Sequence, residues 1–153
     1  MFELDYEAFD VNGTKVSETK RISLDAGSQL DHFQSFYKPE KPGALTCGIG
    51  IKKVEGASKT FNGALTVWEK VAKSGGVQGI AVVVNPASLE KEAEDKLNNL
   101  VLAKCGADNA VSYWAGFTWD KAGQITSADA WKKYVDEFAQ GLASPIEVSV
   151  TGN

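Results

Sequence analysis

The sequence predicts a mainly β protein, in which antiparallel sheets pack face to face and one amphipathic helix, at about residues 127–142, lies across an end or edge. Two observations support this prediction. Apolar and polar residues alternate in many short stretches, which is typical of half-buried strands. Close to the C-terminus the apolar residues instead recur every three or four positions, as on one face of a helix. A length of 153 residues with 43% hydrophobic content is enough for a single domain with a real core.

The first stretch predicts a β-hairpin. Residues 2–11 alternate, and Asn12-Gly13 follows, a strong signal for a type I′ turn because both of its central positions need positive φ. The return strand is predicted at about 15–24. Further strands are predicted at about 29–37, 45–54, 65–71, 79–84, 100–104, 110–119 and 146–150, with 79–84 as a buried central strand. The stretch 65–71 also fits a short helix, but its β-branched content favours a strand. Residues 88–98, which are rich in charge, are predicted as a surface helical turn.

The C-terminal helix has clear start and stop signals. Thr126 or Ser127 supplies an N-cap hydroxyl, and Asp129 places negative charge in the first turn. The apolar residues at helical spacing are Trp131, Tyr134, Val135, Phe138 and Leu142. Gly141 and Pro145 mark its end.

Composition excludes several classes of function. The chain has 16 basic and 20 acidic residues, a formal charge of −4, and a single arginine, Arg21. Proteins that grip phosphate backbones are basic and rich in arginine, so no nucleic-acid partner is expected. No stretch of about 18 apolar residues is present, so no association with a membrane is expected. Met1 runs directly into a strand-like stretch, so no signal peptide is expected in this chain.

Motifs for common cofactors and catalytic centres are missing from the sequence. It has no P-loop, no dinucleotide-binding fingerprint, no nucleophile elbow and no HExxH. The chain holds one histidine, and its two cysteines, Cys47 and Cys105, have no CxxC around them. No metal site and no cofactor are therefore expected. The two cysteines fit either buried free thiols or one bridge between them.

One candidate catalytic set lies on the polar face of the opening strands. Glu3, Asp5 and Glu7 share one side of the first strand, and His32 and Gln34 share one side of the third. If these strands pair, an imidazole and a carboxylate lie on one surface, an arrangement that serves proton transfer at a sugar carbon or glycosidic oxygen. We therefore predict His32, Asp5 and Glu7 as catalytic candidates and Gln34 as a ligand-binding candidate. The alternative is a plain solvated face, which antiparallel sheets normally have.

A second candidate set is aromatic and lies in the stretch 113–121. Indole faces pack well against the C–H faces of pyranose rings, and directed polar groups can bind hydroxyls or a uronate carboxylate. Trp114, Trp119, Asp120 and Lys121 are therefore predicted to bind a ligand. The alternative is that these rings fill the core beneath the helix.

Several stretches also occur in the order of a known family. The aromatic run at 113–123, Trp131 near the start of the helix and the segment 143–148 with Pro145 resemble the C-terminal end of the bacterial family named domain of unknown function 4861. Residues 22–30 and 79–84 are similar to its earlier strand motifs. The resemblance covers nearly the whole chain.

The resemblance implies a fold, a setting and an extent. The implied fold is a β-supersandwich, like that of sugar mutarotases and the C-terminal parts of polysaccharide lyases. The implied setting is the periplasm or the extracellular space of bacteria that degrade plant or algal polysaccharides. Members are much longer, so the chain is expected to be the C-terminal portion of a longer family domain. A polysaccharide or oligosaccharide is the expected partner, together with a second copy or a missing N-terminal region.

Three functions stay open at this point. The favoured one is a carbohydrate-associated β-sandwich domain that binds or helps process an acidic or plant- or algal-type polysaccharide. The second is a carbohydrate-active enzyme, namely a lyase, glycoside hydrolase or epimerase, that uses His32 with a carboxylate. The third is a truncated structural fragment without independent activity, because a missing half leaves strand edges that need a partner.

Overall fold

The computed structural model describes residues 1–54, 58–73 and 75–150 as ten strands, one short 3₁₀ turn and one helix. The strands are β1 (Phe2–Val11), β2 (Thr14–Ser23), β3 (Leu30–Pro39), β4 (Thr46–Lys52), β5 (Ser58–Phe61), β6 (Ala64–Val71), β7 (Gly76–Val84), β8 (Leu89–Glu94), β9 (Asn98–Lys104) and β10 (Ala110–Trp119). The 3₁₀ turn is Asp120–Ala122, and the helix, α1, is Ala128–Ala143.

The strands form two antiparallel sheets of unequal width. The large sheet has the order β1-β2-β3-β10-β7-β6-β5, and the small sheet has the order β4-β9-β8. The small sheet packs on one face of the large sheet, here called the sandwich side, and α1 packs on the opposite face, here called the helix side. The predicted class is confirmed: the protein is mainly β, with two antiparallel sheets in a sandwich and one helix at the C-terminus.

The opening hairpin and the central strands follow the sequence signals. Asn12 and Gly13 have φ values of 51° and 80°, as a type I′ turn requires, and Val11 pairs with Thr14 across it. The strand predicted at 65–71 is confirmed as β6. The buried central strand predicted at 79–84 is confirmed as β7, which is hydrogen-bonded to β6 on one side and to β10 on the other.

The first core lies between the two sheets. Val82 and Val84 of β7 point to the sandwich side, where they meet apolar side chains of the small sheet such as Ile49 and Val101. Val84 and Val101 are fully buried. Each such side chain contributes about 1.5–3 kcal/mol relative to an exposed one, so this interface stabilises the sandwich strongly.

The second core lies between the large sheet and α1. Ser127 is the N-cap, and its Oγ accepts a hydrogen bond from the Ala130 N–H at 3.2 Å. One helical stripe, Trp131, Val135 and Ala139, is buried against the helix side of the sheet. Trp131 lies over Gly79 of β7, and its indole N–H donates to the Ile80 carbonyl oxygen at 3.2 Å. The helix therefore docks through one large ring on a strand position that has no side chain.

The prediction of a helical turn at 88–98 was wrong, because these residues form strand β8 and the turn into β9. The Asp95 carboxylate accepts hydrogen bonds from the N–H groups of Leu97 and Asn98, both at 2.7 Å, and closes a tight hairpin turn. Charged residues in this segment lie on an exposed outer strand of the small sheet. Charge density was misleading here because an edge strand is also highly solvated.

The strand predicted at 146–150 was also wrong. Residues 145–150 do not form a strand, and the exposed fractions of Ile146, Val148 and Val150 are 91%, 84% and 92%. The alternation of apolar and polar residues in this segment is typical of a strand. A strand forms, however, only where the edge of a sheet is close enough for hydrogen bonding.

The contact between Gly79 and Trp131 gives a stability prediction. A Cβ atom added at Gly79 would lie 2.7 Å from Cδ1 of Trp131, so the Gly79→Ala variant must displace the helix or the ring. We expect the free energy of unfolding, measured by urea denaturation, to fall by about 1–3 kcal/mol.

Gly141 supplies the matched control, because the same substitution there meets open space inside α1. The Gly141→Ala variant should gain about 0.5–1 kcal/mol of stability, since alanine loses less backbone entropy in a helix. Equal effects of the two substitutions would contradict the proposed packing of Trp131 on β7.

Candidate functional site

An open groove lies on the sandwich side of the large sheet, where β6 and β10 finish and β3 and β7 begin. This face and the end of β4 enclose about 610 Å³, and we call this space the end groove. Its floor is mostly apolar and its rim is polar. The lining residues are Asp31 and Phe33 of β3, Gly50, Ile51 and Lys52 of β4 with Val54 after it, Val67 and Glu69 of β6, Gln78, Ile80, Ala81 and Val82 of β7, and Ala115, Gly116 and Phe117 of β10.

Strand register builds the apolar floor of the end groove. Val67, Ile80 and Phe117 are direct neighbours across β6, β7 and β10, and side chains in such a row point to the same face. Phe117 is 65% exposed, because β3 begins at Leu30 and has no residue paired with it. Phe33 of β3 stacks on Tyr113 of β10 with ring centroids 5.0 Å apart. The groove therefore has rigid aromatic surface at its floor and at one corner.

Polar groups of four strands surround this floor. The Gln78 side-chain amide donates to the Glu69 carboxylate at 3.0 Å, which holds both groups in place across β6 and β7. Asp31 enters from β3 and Lys52 from β4. The rim thus offers two carboxylates, one amide and one ammonium group to a ligand.

Three of the predicted ligand-binding residues lie next to the end groove. Trp119 is the direct neighbour of Gln78 across β10 and β7, and its indole is 39% exposed. Lys121 places its ammonium 5.9 Å from the centroid of the Trp119 ring. The Asp120 carboxylate accepts the backbone N–H of Val77 at 2.9 Å, so it anchors the 3₁₀ turn against β7.

The other two predicted ligand-binding residues, Trp114 and Gln34, lie on the helix side of the large sheet. Trp114 is half-buried, and its ring meets the edge of Phe138 of α1 at a centroid distance of 5.7 Å. Trp114 and Trp119 are an odd number of positions apart in β10, so their side chains point to opposite faces. The structure therefore does not bring the two indoles into one site.

The predicted catalytic residues share the helix side but are not in hydrogen-bonding contact. His32 lies on β3 and Asp5 on β1, with β2 between them. The Asp5 carboxylate accepts the Thr19 hydroxyl at 2.7 Å, and Glu3 pairs with Arg21 at 2.8 Å. Glu7 is exposed and lies at the break in register of β1 between Tyr6 and Phe9. A catalytic role of His32 with Asp5 or Glu7 stays a prediction.

His32 is packed as an aromatic ring. It stacks on Trp114, its neighbour across β3 and β10, with centroids 4.6 Å apart and planes 11° from parallel. Its Nε2 atom is buried and has no hydrogen-bond partner. Burial lowers the pKa of His32 below its usual 6.5, and the nearby charge of Asp25 acts in the opposite direction. The imidazole is therefore neutral at physiological pH.

Sequence reasoning missed the residues that line the end groove, above all Asp31, Phe33, Glu69, Gln78 and Phe117. They come from four strands that are distant in sequence, and only the order β3-β10-β7-β6 places them together. One available signal was the alternation of β10, which puts Phe117 on the same face as Trp119.

Clusters of metal ligands and membrane-spanning helices are not found in the described part of the chain. Across residues 1–54, 58–73 and 75–150, no three His, Cys, Asp or Glu side chains lie close enough to hold a metal ion. The helix of this region is not long and apolar enough to cross a membrane. Cys47 and Cys105 are both free thiols.

The protein is a β-sandwich domain. It consists of a wide and a narrow antiparallel sheet and has an aromatic and polar groove at one end. The chain belongs to the family described as domain of unknown function 4861, whose model matches residues 1–148. It is 30% identical over 154 residues to the uncharacterized protein P7 of Formosa agariphila. That match covers 97% of this chain and 39% of the relative, so the chain spans about two fifths of the relative's length. No solved structure matches the chain.

The single histidine permits a direct test of its burial. Because the pKa of His32 is lowered in the folded state, the unfolded state binds this proton more readily. The contribution of His32 to stability is therefore unchanged above about pH 6.5 and becomes unfavourable as the pH falls below it. A titration of the imidazole by NMR should give a midpoint below 6.5.

Urea denaturation of the His32→Gln variant is the companion measurement. Between about pH 7.5 and about pH 5, the wild type should lose more stability than the variant. The carboxylates titrate in both proteins, so the comparison isolates His32. A midpoint at or above 6.5 would show that the ring is solvated and not buried against Trp114.

Proposed function

We propose that the chain is a carbohydrate-binding β-sandwich domain that binds, or helps to process, an acidic or plant- or algal-type polysaccharide in the end groove. The observation that supports this proposal best is the exposed ring of Phe117 beside polar side chains that are fixed by neighbouring strands. A large aromatic side chain that is 65% exposed loses apolar contact with water when a ligand covers it.

The chemistry of a sugar matches this combination of groups. One face of a pyranose ring presents C–H groups, which pack on an aromatic ring, and its edges present hydroxyls, which need donors and acceptors. Phe117 and Trp119 supply aromatic surface at one corner of the sheet. Gln78 of the next strand, β7, supplies a donor, and Glu69 of β6, to which Gln78 is hydrogen-bonded, supplies an acceptor.

The size and shape of the end groove fit a short segment of a glycan chain. Its volume of about 610 Å³ lies within the range of small-molecule sites, which is about 300–1,000 Å³. The groove is open to solvent at the edge of the sandwich, so a polymer can continue beyond it. An enclosed cavity would instead select a free monosaccharide.

One lysine on the rim and a second lysine beside it favour a glycan that carries carboxylates. Lys52 lines the groove on the β4 side, and Lys121 lies near Trp119 on the β10 side. An ammonium group on each side of the floor can pair with the carboxylate of a uronate, while Asp31 and Glu69 accept hydroxyl hydrogens. The resemblance also implies a setting of polysaccharide degradation in the periplasm or outside the cell, and we propose this location for the protein.

The aromatic contribution to binding can be measured directly. On an array of neutral and uronate-containing oligosaccharides of pectin, ulvan and alginate type, Phe117→Ala and Trp119→Ala should each weaken binding about tenfold, which corresponds to about 1.4 kcal/mol. Ile146→Ala is the matched control, because Ile146 is 91% exposed and follows α1, which packs on the opposite face of the large sheet. Unchanged binding in both aromatic variants would rule out the end groove as the glycan site.

Trp114→Ala tests the opposite face in the same assay. Because Trp114 points to the helix side, this variant should lose stability and keep its affinity for any glycan that binds in the end groove. A selective loss of affinity in Trp114→Ala, with Phe117→Ala unaffected, would move the site to the surface around His32.

The charge preference gives a separate prediction. Lys52→Gln should weaken the binding of uronate-containing oligosaccharides about tenfold and change the binding of their neutral counterparts little, because the substitution removes one ion pair. Lys53→Gln is the neighbouring control, since Lys53 pairs with Glu94 of β8 at 3.0 Å instead of lining the groove. Equal losses for neutral and charged ligands would contradict recognition of a carboxylate by Lys52.

A further inference from the structure

A second open space adjoins the end groove on the sandwich side of the large sheet. It lies between β4, the edge strand of the small sheet, and the faces of β2, β3 and β10, and it encloses about 420 Å³. We call it the inner cleft. It has four lining residues in common with the end groove, namely Phe33, Gly50, Val82 and Ala115. A chain-like ligand that leaves the end groove along β4 therefore enters the inner cleft next.

Polar side chains of β2, β3 and β10 meet in the inner cleft. Glu18 and Tyr37 are direct neighbours across β2 and β3, and Lys20 places its ammonium 3.3 Å from Oε1 of Glu18. The charge of Lys20 also acts on the hydroxyl of Tyr113. The hydroxyl of Tyr37 contacts Sγ of Cys47 at 3.0 Å. The cleft thus offers a carboxylate, an ammonium group and two phenol hydroxyls to a ligand.

The Glu18 carboxylate is buried with incomplete hydrogen bonding. Its side chain is 10% exposed, and it lies on the same face of β2 as the buried Val16 and Ile22. The contact with Lys20 does not have the geometry of a hydrogen bond, and Oε1 of Glu18 has no hydrogen-bond partner among the described residues. A buried carboxylate is costly unless donors replace the water it has lost, so a ligand that brings a donor stabilises it.

The edge of β4 adds backbone groups to the wall of the inner cleft. The Lys53 N–H, directly after β4, donates to the Leu97 carbonyl at 2.7 Å, so the odd-numbered residues of this strand turn their N–H and C=O groups toward β9. The even-numbered residues turn theirs to the open side, and two of them, Gly48 and Gly50, line the cleft. Because a glycine lets a ligand approach the backbone closely, these donors and acceptors are accessible.

The charges of the inner cleft favour an uncharged ligand that carries hydroxyls. Glu18 and Lys20 are the charged side chains among the described residues that line it, and their charges cancel. Burial raises the pKa of Tyr37 and of Tyr113, so both phenols stay protonated at neutral pH. A ligand hydroxyl can donate to the carboxylate and accept from the ammonium or a phenol, whereas a ligand carboxylate is repelled by Glu18. The ring of Phe33, stacked on Tyr113, offers apolar surface to C–H groups.

We propose that the inner cleft is a second sugar subsite, which binds an uncharged residue of the same glycan beside the uronate in the end groove. This assignment rests on the proposed function of the end groove and makes it more specific, because the ligand is then a glycan in which uronates and neutral sugars are neighbours. The hydroxyls of the neutral sugar donate to Glu18 and accept from Lys20 or Tyr113. A volume of about 420 Å³ lies within the range of small-molecule sites, which is about 300–1,000 Å³.

Isothermal titration calorimetry with two pectin-type tetrasaccharides tests the proposal on the intact chain. One tetrasaccharide alternates galacturonate with the neutral sugar rhamnose, and the other consists of galacturonate alone. The wild type should bind the alternating tetrasaccharide about tenfold more tightly, because a uronate in the inner cleft places its carboxylate beside that of Glu18 and supplies fewer donors.

Two variants separate recognition from stability. Glu18→Gln removes the negative charge and leaves the ammonium of Lys20 unpaired, so the preference for the alternating tetrasaccharide should disappear. Tyr113→Phe removes one hydroxyl and keeps the ring, so it should weaken the alternating tetrasaccharide alone, by about threefold to tenfold. Glu3→Gln is the matched control, because Glu3 pairs with Arg21 at 2.8 Å on the opposite face, and this variant should keep both affinities.

Phe117→Ala distinguishes this proposal from the one on which it rests. Phe117 lies in the end groove, so its loss should weaken both tetrasaccharides alike. Equal affinity of the wild type for the two ligands, with their dependence on Phe117 kept, would overturn the inner cleft and leave the end groove in place. A wild type that binds neither ligand would overturn both proposals. If Glu18→Gln and Tyr113→Phe lower the melting temperature but keep the wild-type preference, the polar groups are only structural and the inner cleft is not a subsite.

Discussion

Burial of β7 on both faces is the constraint on which the rest of the structure depends. Val82 and Val84 face the small sheet, while Ala81 and Val83 face α1, and the four residues are consecutive. A strand with a continuous apolar run has no solvated face, so it forces a layer onto each side of the large sheet. The bare position Gly79 then decides where the helix lies, because Trp131 fills the space that a side chain would take.

Strand β10 lies next to β7, and its side chains point alternately to the two faces of the large sheet. Its aromatic residues are therefore divided between these faces. The side chains of Tyr113 and Phe117 point to the sandwich side. The side chain of Trp114 points to the helix side and packs against the core beneath α1. The stacked His32–Trp114 pair strengthens the helix side and leaves a neutral imidazole there. The carbohydrate recognition that we propose uses the face where aromatic rings remain accessible and where polar groups of separate strands lie close together.

Local signals were enough to predict the class of fold, the hairpin at Asn12-Gly13, β10 and the helix after Ser127, because each depends on neighbours in sequence. Predictions failed where pairing between strands decides the structure. The many charges of β8 concealed a strand, and the alternating residues around Ile146 are exposed and do not pair with a strand. The candidate site was only partly predictable. Trp119, Asp120 and Lys121, which lie next to the groove, are consecutive in sequence and could be proposed from one motif. Asp31 and Glu69 line the same groove only because of the order of the strands, which no local pattern specifies.

The break in register of β1 between Tyr6 and Phe9 has a consequence for growth of the sheet. A bulge twists an edge locally, so a β-bulged strand cannot stack evenly on many identical strands. The carboxylates of Glu3 and Asp5 on the same strand also repel an in-register copy placed directly alongside. Bulges and charges of this kind limit the pairing of an edge strand with further strands, so the apolar residues of β1 do not by themselves make it a template for sheet growth.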